Sequence, residues 1–117
     1  DRAAGRAVAA RLATARRAFL DAVDFVAGQT QASPNAVFAG SVPYLMLAGT
    51  VVAGWQMARA LMVAEDRLAE GTDTAFMQAK IATARFYADH ILNKASGLRD
   101  SIVEGADSVT AMPLESF

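Results

Sequence analysis

Apolar residues recur at helical spacing along nearly the whole of this chain, and in one stretch they fall on every side. Over residues 42–64 only Thr50, Gln56 and Arg59 interrupt the run with side-chain polarity. A helix that is apolar all round has to be covered, either by lipid or by other helices. The flanking segments are amphipathic instead. Val8, Leu12, Ala15, Phe19, Ala22 and Val26 step by threes and fours, one face of a helix predicted over residues 3–30. Leu20, Val23 and Phe25 widen that face. Arg6, Arg16, Arg17, Asp21 and Asp24 lie mostly opposite, with Arg17 and Asp21 spaced to pair across one turn. Further on, Met77, Ile81, Ala84, Ala88, Ile91, Ala95, Leu98 and Ile102 alternate steps of four and three, the seam of antiparallel helix packing. A second stripe, Ala75, Ala79, Ala82 and Phe86, predicts that the first half of that helix is buried on two sides.

Breaker residues divide these patterns into elements. Gly28 and the polar run Gln29, Thr30, Gln31 close the first helix. Ser33 and Pro34 start a short one, with Ser at the N-cap and Pro in the first helical position. Gly40, Ser41 and Pro43 then interrupt it, because Pro43 lacks a donor and crowds the carbonyl four residues back. Ser41 as a new cap places Pro43 in a first turn, where it does no harm. A kink or break over residues 40–43 is followed by a straight helix to residue 70, ended by Gly71. Thr72 or Asp73 caps the next helix. Gly97 costs about 1 kcal/mol relative to Ala and offers a place for a bend in it, and Gly105 marks its end or a weak point before Val109. Short connections make neighbouring helices antiparallel. The expectation is a single all-α domain over residues 1–117. It is an up-down-up bundle of three long helices, the second kinked near Pro43, or four helices if Gly97 breaks the third.

Composition sharpens the picture in three places. The chain is 54% hydrophobic and Ala-rich, which favours helix. A formal net charge of -1 argues against a nucleic-acid partner, which would need a basic excess. The absence of cysteine removes disulfides, thiolate metal sites and cysteine nucleophiles. The central apolar run is long enough to span a membrane. Against that stand Gln56 and Arg59 inside it, Pro43 near its start, and flanking stripes that need this helix as a partner. A buried helix in a soluble bundle, with no membrane partner, is the expectation. Arg2, Arg6 and Arg11 stand at a helix start, where the macrodipole favours carboxylates. Asp1 is an uncomfortable cap at a free charged terminus. Both features are those of a piece of a longer protein.

Few residues suggest chemistry. His90 is the single histidine, and its neighbour Asp89 does not share its helix face. Arg85 and Asp89 are the better-spaced pair, and no serine completes a triad. His90 therefore reads as a structural or interface residue. Glu65, Asp66, Glu70 and Asp73 make an acidic patch near one turn. A metal would want carboxylates converging on a point, usually with His, and a solvated helix end is the plainer reading. Arg59, inside an apolar helix, needs an acceptor: an intramolecular partner, or else an anionic ligand or a separate domain. Trp55 is assigned to the core, where truncation to Ala costs about 3–5 kcal/mol. There is no Gly-rich phosphate loop and no dinucleotide fingerprint. No catalytic, cofactor-binding or metal residue is assigned; Trp55, Arg59 and His90 are the interface candidates.

Two segments carry a resemblance. One contains Pro43, Tyr44 and Leu45, then Gly54 and Trp55, then Ala58, Arg59 and Ala60. The other is the run KIATARFYADHIL over residues 80–92 with Ala79 before it. Together they resemble the acetyl-CoA-dehydrogenase-like C-terminal domain of bacterial acyl-CoA dehydrogenases, including enzymes described as 3-methylmercaptopropionyl-CoA dehydrogenases. The resemblance implies a cytoplasmic FAD enzyme of fatty acid metabolism that desaturates an acyl-CoA thioester between its α and β carbons. In such enzymes a glutamate takes the α proton and the flavin N5 accepts the β hydride. Those parts belong to a catalytic core upstream. This chain has no two adjacent glycines to match the family's flavin-contacting motif, so no catalytic or FAD-binding residue is carried over. The implied role is a non-catalytic domain that packs on the catalytic core or a second subunit of a homo-oligomer. The alternative is a standalone helical interaction module that self-associates through the exposed side of its apolar helix.

Overall fold

Why these helices end where they do is set by a few local devices. The computed structural model describes residues 2–117. Asp1 and its possible capping role lie outside them, and the N-cap position of the first helix falls on Arg2. The order is α1 (Ala3–Gln29), α2 (Pro34–Ala39), α3 (Ser41–Ala69), α4 (Thr74–His90), a 3-10 turn (Leu92–Lys94), α5 (Ala95–Val103), α6 (Ala106–Val109) and a last 3-10 turn (Leu114–Ser116). The all-helical class holds, but the count differs from three long helices.

The breaks have physical causes. Pro34 opens α2 with its missing donor at the first position. Ser33 sits at the N-cap but uses its backbone carbonyl, which accepts from Ala36 and Val37, and not its side chain. The break before α3 falls at Gly40, a buried residue whose added Cβ would lie 3.2 Å from the Cα of Ile102. Close approach of α5 therefore selects glycine there. Pro43 lies in the first turn of α3, as its missing N–H requires. Ser41 does not cap α3; its hydroxyl donates to the Phe38 carbonyl at 2.8 Å. Gly71, at φ 77°, ends α3. The Thr72 N–H reaches the Arg67 carbonyl at 3.1 Å and the Gly71 N–H the Leu68 carbonyl at 3.0 Å, a complete Schellman closure.

The last long helix breaks, but not at Gly97, which lies inside α5 with open space around it. It breaks after His90, where Ile91 leaves helical geometry at φ -120° and the 3-10 turn follows. The reason is packing. The turn shifts the seam by one residue, so Leu92 is buried in place of Ile91, which stays 39% exposed. Leu92 enters the space beside Gly54, where an added Cβ would meet its Cδ1 at 2.8 Å. Of the rest of the seam, Ala84, Ala88, Ala95 and Ile102 are buried, and Met77, Ile81 and Leu98 are half-buried.

Helix directions follow from the cross-contacts. Arg2 at the start of α1 meets Asp66 near the end of α3 at 2.7 Å, so those two helices run oppositely. The Tyr87 hydroxyl donates to the Thr50 carbonyl at 2.7 Å and ties α4 to α3. Burial also raises the Tyr87 pKa above its ordinary value. Arg11 meets Asp89 and Arg99 meets Asp21, which lays α1 along α4 and α5 in the same sense. Asp21 thus takes Arg99 from another helix, and not the Arg17 one turn away. The core these helices share is narrow and rich in alanine: Ala15, Ala18, Ala22, Ala64, Ala84, Ala88 and Ala95 are buried, with Leu47, Leu61, Leu92, Ile102 and Val8 as its large members. The molecule is long, with a radius of gyration of 18.4 Å, against about 13 Å for a compact domain of this length.

Trp55 is not in that core. It is 51% exposed, because it lies on the side of α3 that looks past α1. Truncating Leu61 or Leu47 to Ala is therefore expected to cost about 2–5 kcal/mol in urea unfolding. Trp55→Ala should stay within about 1 kcal/mol. A Trp55→Ala cost as large as that of Leu61→Ala would contradict this placement.

Candidate functional site

The most developed surface feature is the outward side of α3. Val42, Leu45, Gly49, Val52, Gln56, Arg59 and Val63 follow each other by alternating steps of three and four, and all are exposed. Leu45 is 74% exposed, Val42 68%, Val52 55% and Val63 54%. A stripe of this kind on a water-facing helix is unusual, since the outer face of an amphipathic helix is normally charged. Its cause lies in the sequence: α3 is apolar all round, and α1 and α4 cover only the sides turned toward them. Helix α3 is long and apolar enough to span a membrane, and only 17% of its most apolar stretch is buried, so the full cover expected from neighbouring helices is not there among the described residues.

Two grooves flank this ridge. Between α1 and α3 run Leu12, Arg16, Val52, Trp55, Arg59 and Met62. Between α3 and α4 run Gln56, Arg59, Val63, Phe76, Met77 and Lys80. Arg59 borders both, so it stands on the crest. Its guanidinium stacks over the Trp55 ring at 5.3 Å and reaches Gln56 Oε1 at 3.5 Å, the outer limit of a hydrogen bond. The intramolecular partner anticipated for Arg59 is thus an indole face and a weak amide contact. Among the described residues no carboxylate reaches it.

The α4 stripe Ala75, Ala79, Ala82 and Phe86 was expected to be covered and is exposed along its whole length. The seam residues Ala84 and Ala88 are buried, and nothing among the described residues covers the opposite side. His90 lies at the end of this stripe, stacked on Phe86 at 4.6 Å and open to solvent. It does not share the grooves that hold Trp55 and Arg59. Phe76 at the other end carries Lys80 over its ring at 5.4 Å.

Two members of the acidic patch, Glu65 and Asp66, are held in ion pairs. Arg2 takes Asp66 at 2.7 Å and Glu65 at 3.9 Å, and the hydrogen bond to Asp66 raises its pKa above the ordinary value. Antiparallel packing brings the basic start of α1 beside the acidic end of α3, which accounts for an Arg at the N-cap position. Glu65 is buried against Gly5, where any Cβ would lie 2.6 Å from Glu65 Oε1. Among the described residues no three His, Asp or Glu side chains group as metal ligands do. Arg85 and Asp89 pair at 2.9 Å, as their spacing predicts. The cations Arg16 and Lys80 beside the ridge had no signal of their own in the sequence. Their significance comes only from their placement next to Arg59.

Fold and surface together define an all-α domain whose dominant feature is an open, apolar, cation-bearing face. The chain belongs to the family described as acetyl-CoA dehydrogenase C-terminal like, whose sequence profile matches residues 1–113. It is 41% identical over 112 residues to 3-methylmercaptopropionyl-CoA dehydrogenase of Ruegeria pomeroyi. That alignment covers 96% of this chain but only 19% of the relative, so the chain spans about a fifth of the protein it matches. No solved structure matches it significantly.

Trp55 is the single tryptophan, so its emission reports this face alone. In the isolated chain it should emit as a water-exposed indole and be quenched readily by acrylamide. A blue-shifted, quench-resistant emission would mean that the ridge is covered without any further partner.

Proposed function

We propose that this chain is the non-catalytic C-terminal domain of an FAD-dependent, cytoplasmic acyl-CoA dehydrogenase, and that α3 docks it on the catalytic core or on a neighbouring subunit. The parent enzyme carries out α,β-desaturation of an acyl-CoA thioester, with FAD held entirely by the core. The observation that carries this reading is the bare ridge of α3 in a chain spanning 19% of its dehydrogenase relative. A domain that leaves Leu45, Val52 and Val63 in water is incomplete by the usual limits on exposed apolar patches. Within it, α1, α3 and the α4–α5 arm form an up-down-up scaffold that holds the ridge straight. Trp55 and Arg59 serve as contact residues there. His90 and Phe86 mark a second, smaller contact on α4.

The reading assigns no step of the reaction to this chain. Its contribution is mechanical: it buries its own apolar face, and it fixes the position of whatever core element lies beneath. Large apolar interfaces of this kind are the ones that stay closed.

Two measurements test it. The isolated chain should bind no flavin and show no dehydrogenase activity; stoichiometric FAD retained by it alone would end the proposal. In the full-length enzyme, Leu45→Asp with Val52→Asp should lower the unfolding midpoint while leaving the isolated domain's stability within about 0.5 kcal/mol. Equal effects in both contexts would mean that the ridge has no partner in the enzyme.

A further inference from the structure

We infer that the occupant of the α3 ridge is an apolar helix of the dehydrogenase core that carries a carboxylate facing Arg59, and not the α3 of a second copy of this domain. The inference rests on the docking reading above and adds the chemistry of the partner.

The ridge has the period of a helix seam. Alternating steps of three and four from Val42 to Val63 give one contact line with a period of 3.5 residues, the repeat that a second helix follows. Gly49 lies on the line, with nothing near its Cα side to fill the space, so a facing side chain can seat there. A bilayer surface favours a broad apolar face with cations at its edges. Here Gln56 and Arg59 interrupt the line itself.

Charge then selects the partner. Arg59 has no carboxylate partner among the described residues, and Arg16 and Lys80 in the flanking grooves have none either. Covering these cations with an apolar surface leaves buried charge uncompensated, which is far costlier than leaving it in water. The covering element must therefore bring anionic groups. A second copy cannot supply them from its own ridge: residues 42–63 contain no Asp or Glu. Ridge-to-ridge pairing would place two sets of Arg16, Arg59 and Lys80 in one interface, and like charges across an interface disfavour it. The nearest carboxylates on α3, Glu65 and Asp66, are already held by Arg2.

The test uses the full-length enzyme. With Arg59→Lys, treatment with a water-soluble carbodiimide condenses the new amine with a carboxylate in direct contact. Peptide mapping should find residue 59 joined to an Asp or Glu upstream of this domain. A link to another copy of this domain, or no link at residue 59, overturns the inference. As an independent arm, Arg59→Glu should speed release of the domain by subtilisin about tenfold, and Arg59→Met by no more than about threefold. Equal rates for the two variants also overturn it. Peroxide oxidation of Met62, which lines the same groove as Trp55 and Arg59, separates the two levels of failure in the same protein. A protected Met62 without a carboxylate partner leaves the docking reading standing. A reactive Met62 removes both, and phosphatidylserine-vesicle binding lost in Arg59→Glu would assign the ridge to a membrane surface.

Discussion

Everything in this domain follows from a helix that is apolar on all sides and has too few neighbours. Helix α3 supplies the surface that α1, α4 and α5 need for their own stripes. In return they cover only the sides that face them. The uncovered face is not a flaw of local sequence: the apolar residues that form it lie within one unbroken helix, Ser41–Ala69. The hydrophobic penalty for leaving it in water is the physical drive for a further contact.

The small-residue core reinforces this dependence. Alanines at Ala15, Ala22, Ala84 and Ala88, with glycines at Gly5 and Gly54, bring the helices close together. Close approach improves dispersion contact, but an alanine removes little area from water. Among the described residues only five large side chains are fully buried: Leu47, Leu61, Leu92, Ile102 and Val8. An elongated domain with so few buried large groups has modest stability of its own, and it is well suited to lean on a larger body.

Much of this was legible along the chain, and the failures are instructive. The helix over residues 3–29, the short helix opened by Pro34, the break at Gly40 and the Schellman end at Gly71 each carry a local signal. The break after His90 does not. It is imposed by the fit of Leu92 against Gly54, a contact between residues far apart in sequence. Trp55 and the stripe ending at Phe86 were misplaced for a related reason. Periodicity says which residues share a face, but not whether the chain contains a helix to cover that face. Trp55, Arg59 and His90 could be singled out from residue type. Their grouping could not: Trp55 and Arg59 adjoin on one crest, whereas His90 stands with Phe86 on another helix. Arg2 shows the opposite case. It looked wrong for a helix start until antiparallel packing set Asp66 beside it.

Oxidation footprinting of the methionines tests the central claim most directly. Met46 and Met62 flank the α3 ridge at 56% and 60% exposure, and Met112, at 58%, lies in the C-terminal tail. Under mild peroxide the isolated chain should oxidise all three at similar rates. In the full-length protein Met46 and Met62 should be protected while Met112 still reacts. Equal oxidation of Met46 and Met62 in both forms would show that α3 stays bare in the complete protein, and would contradict the account.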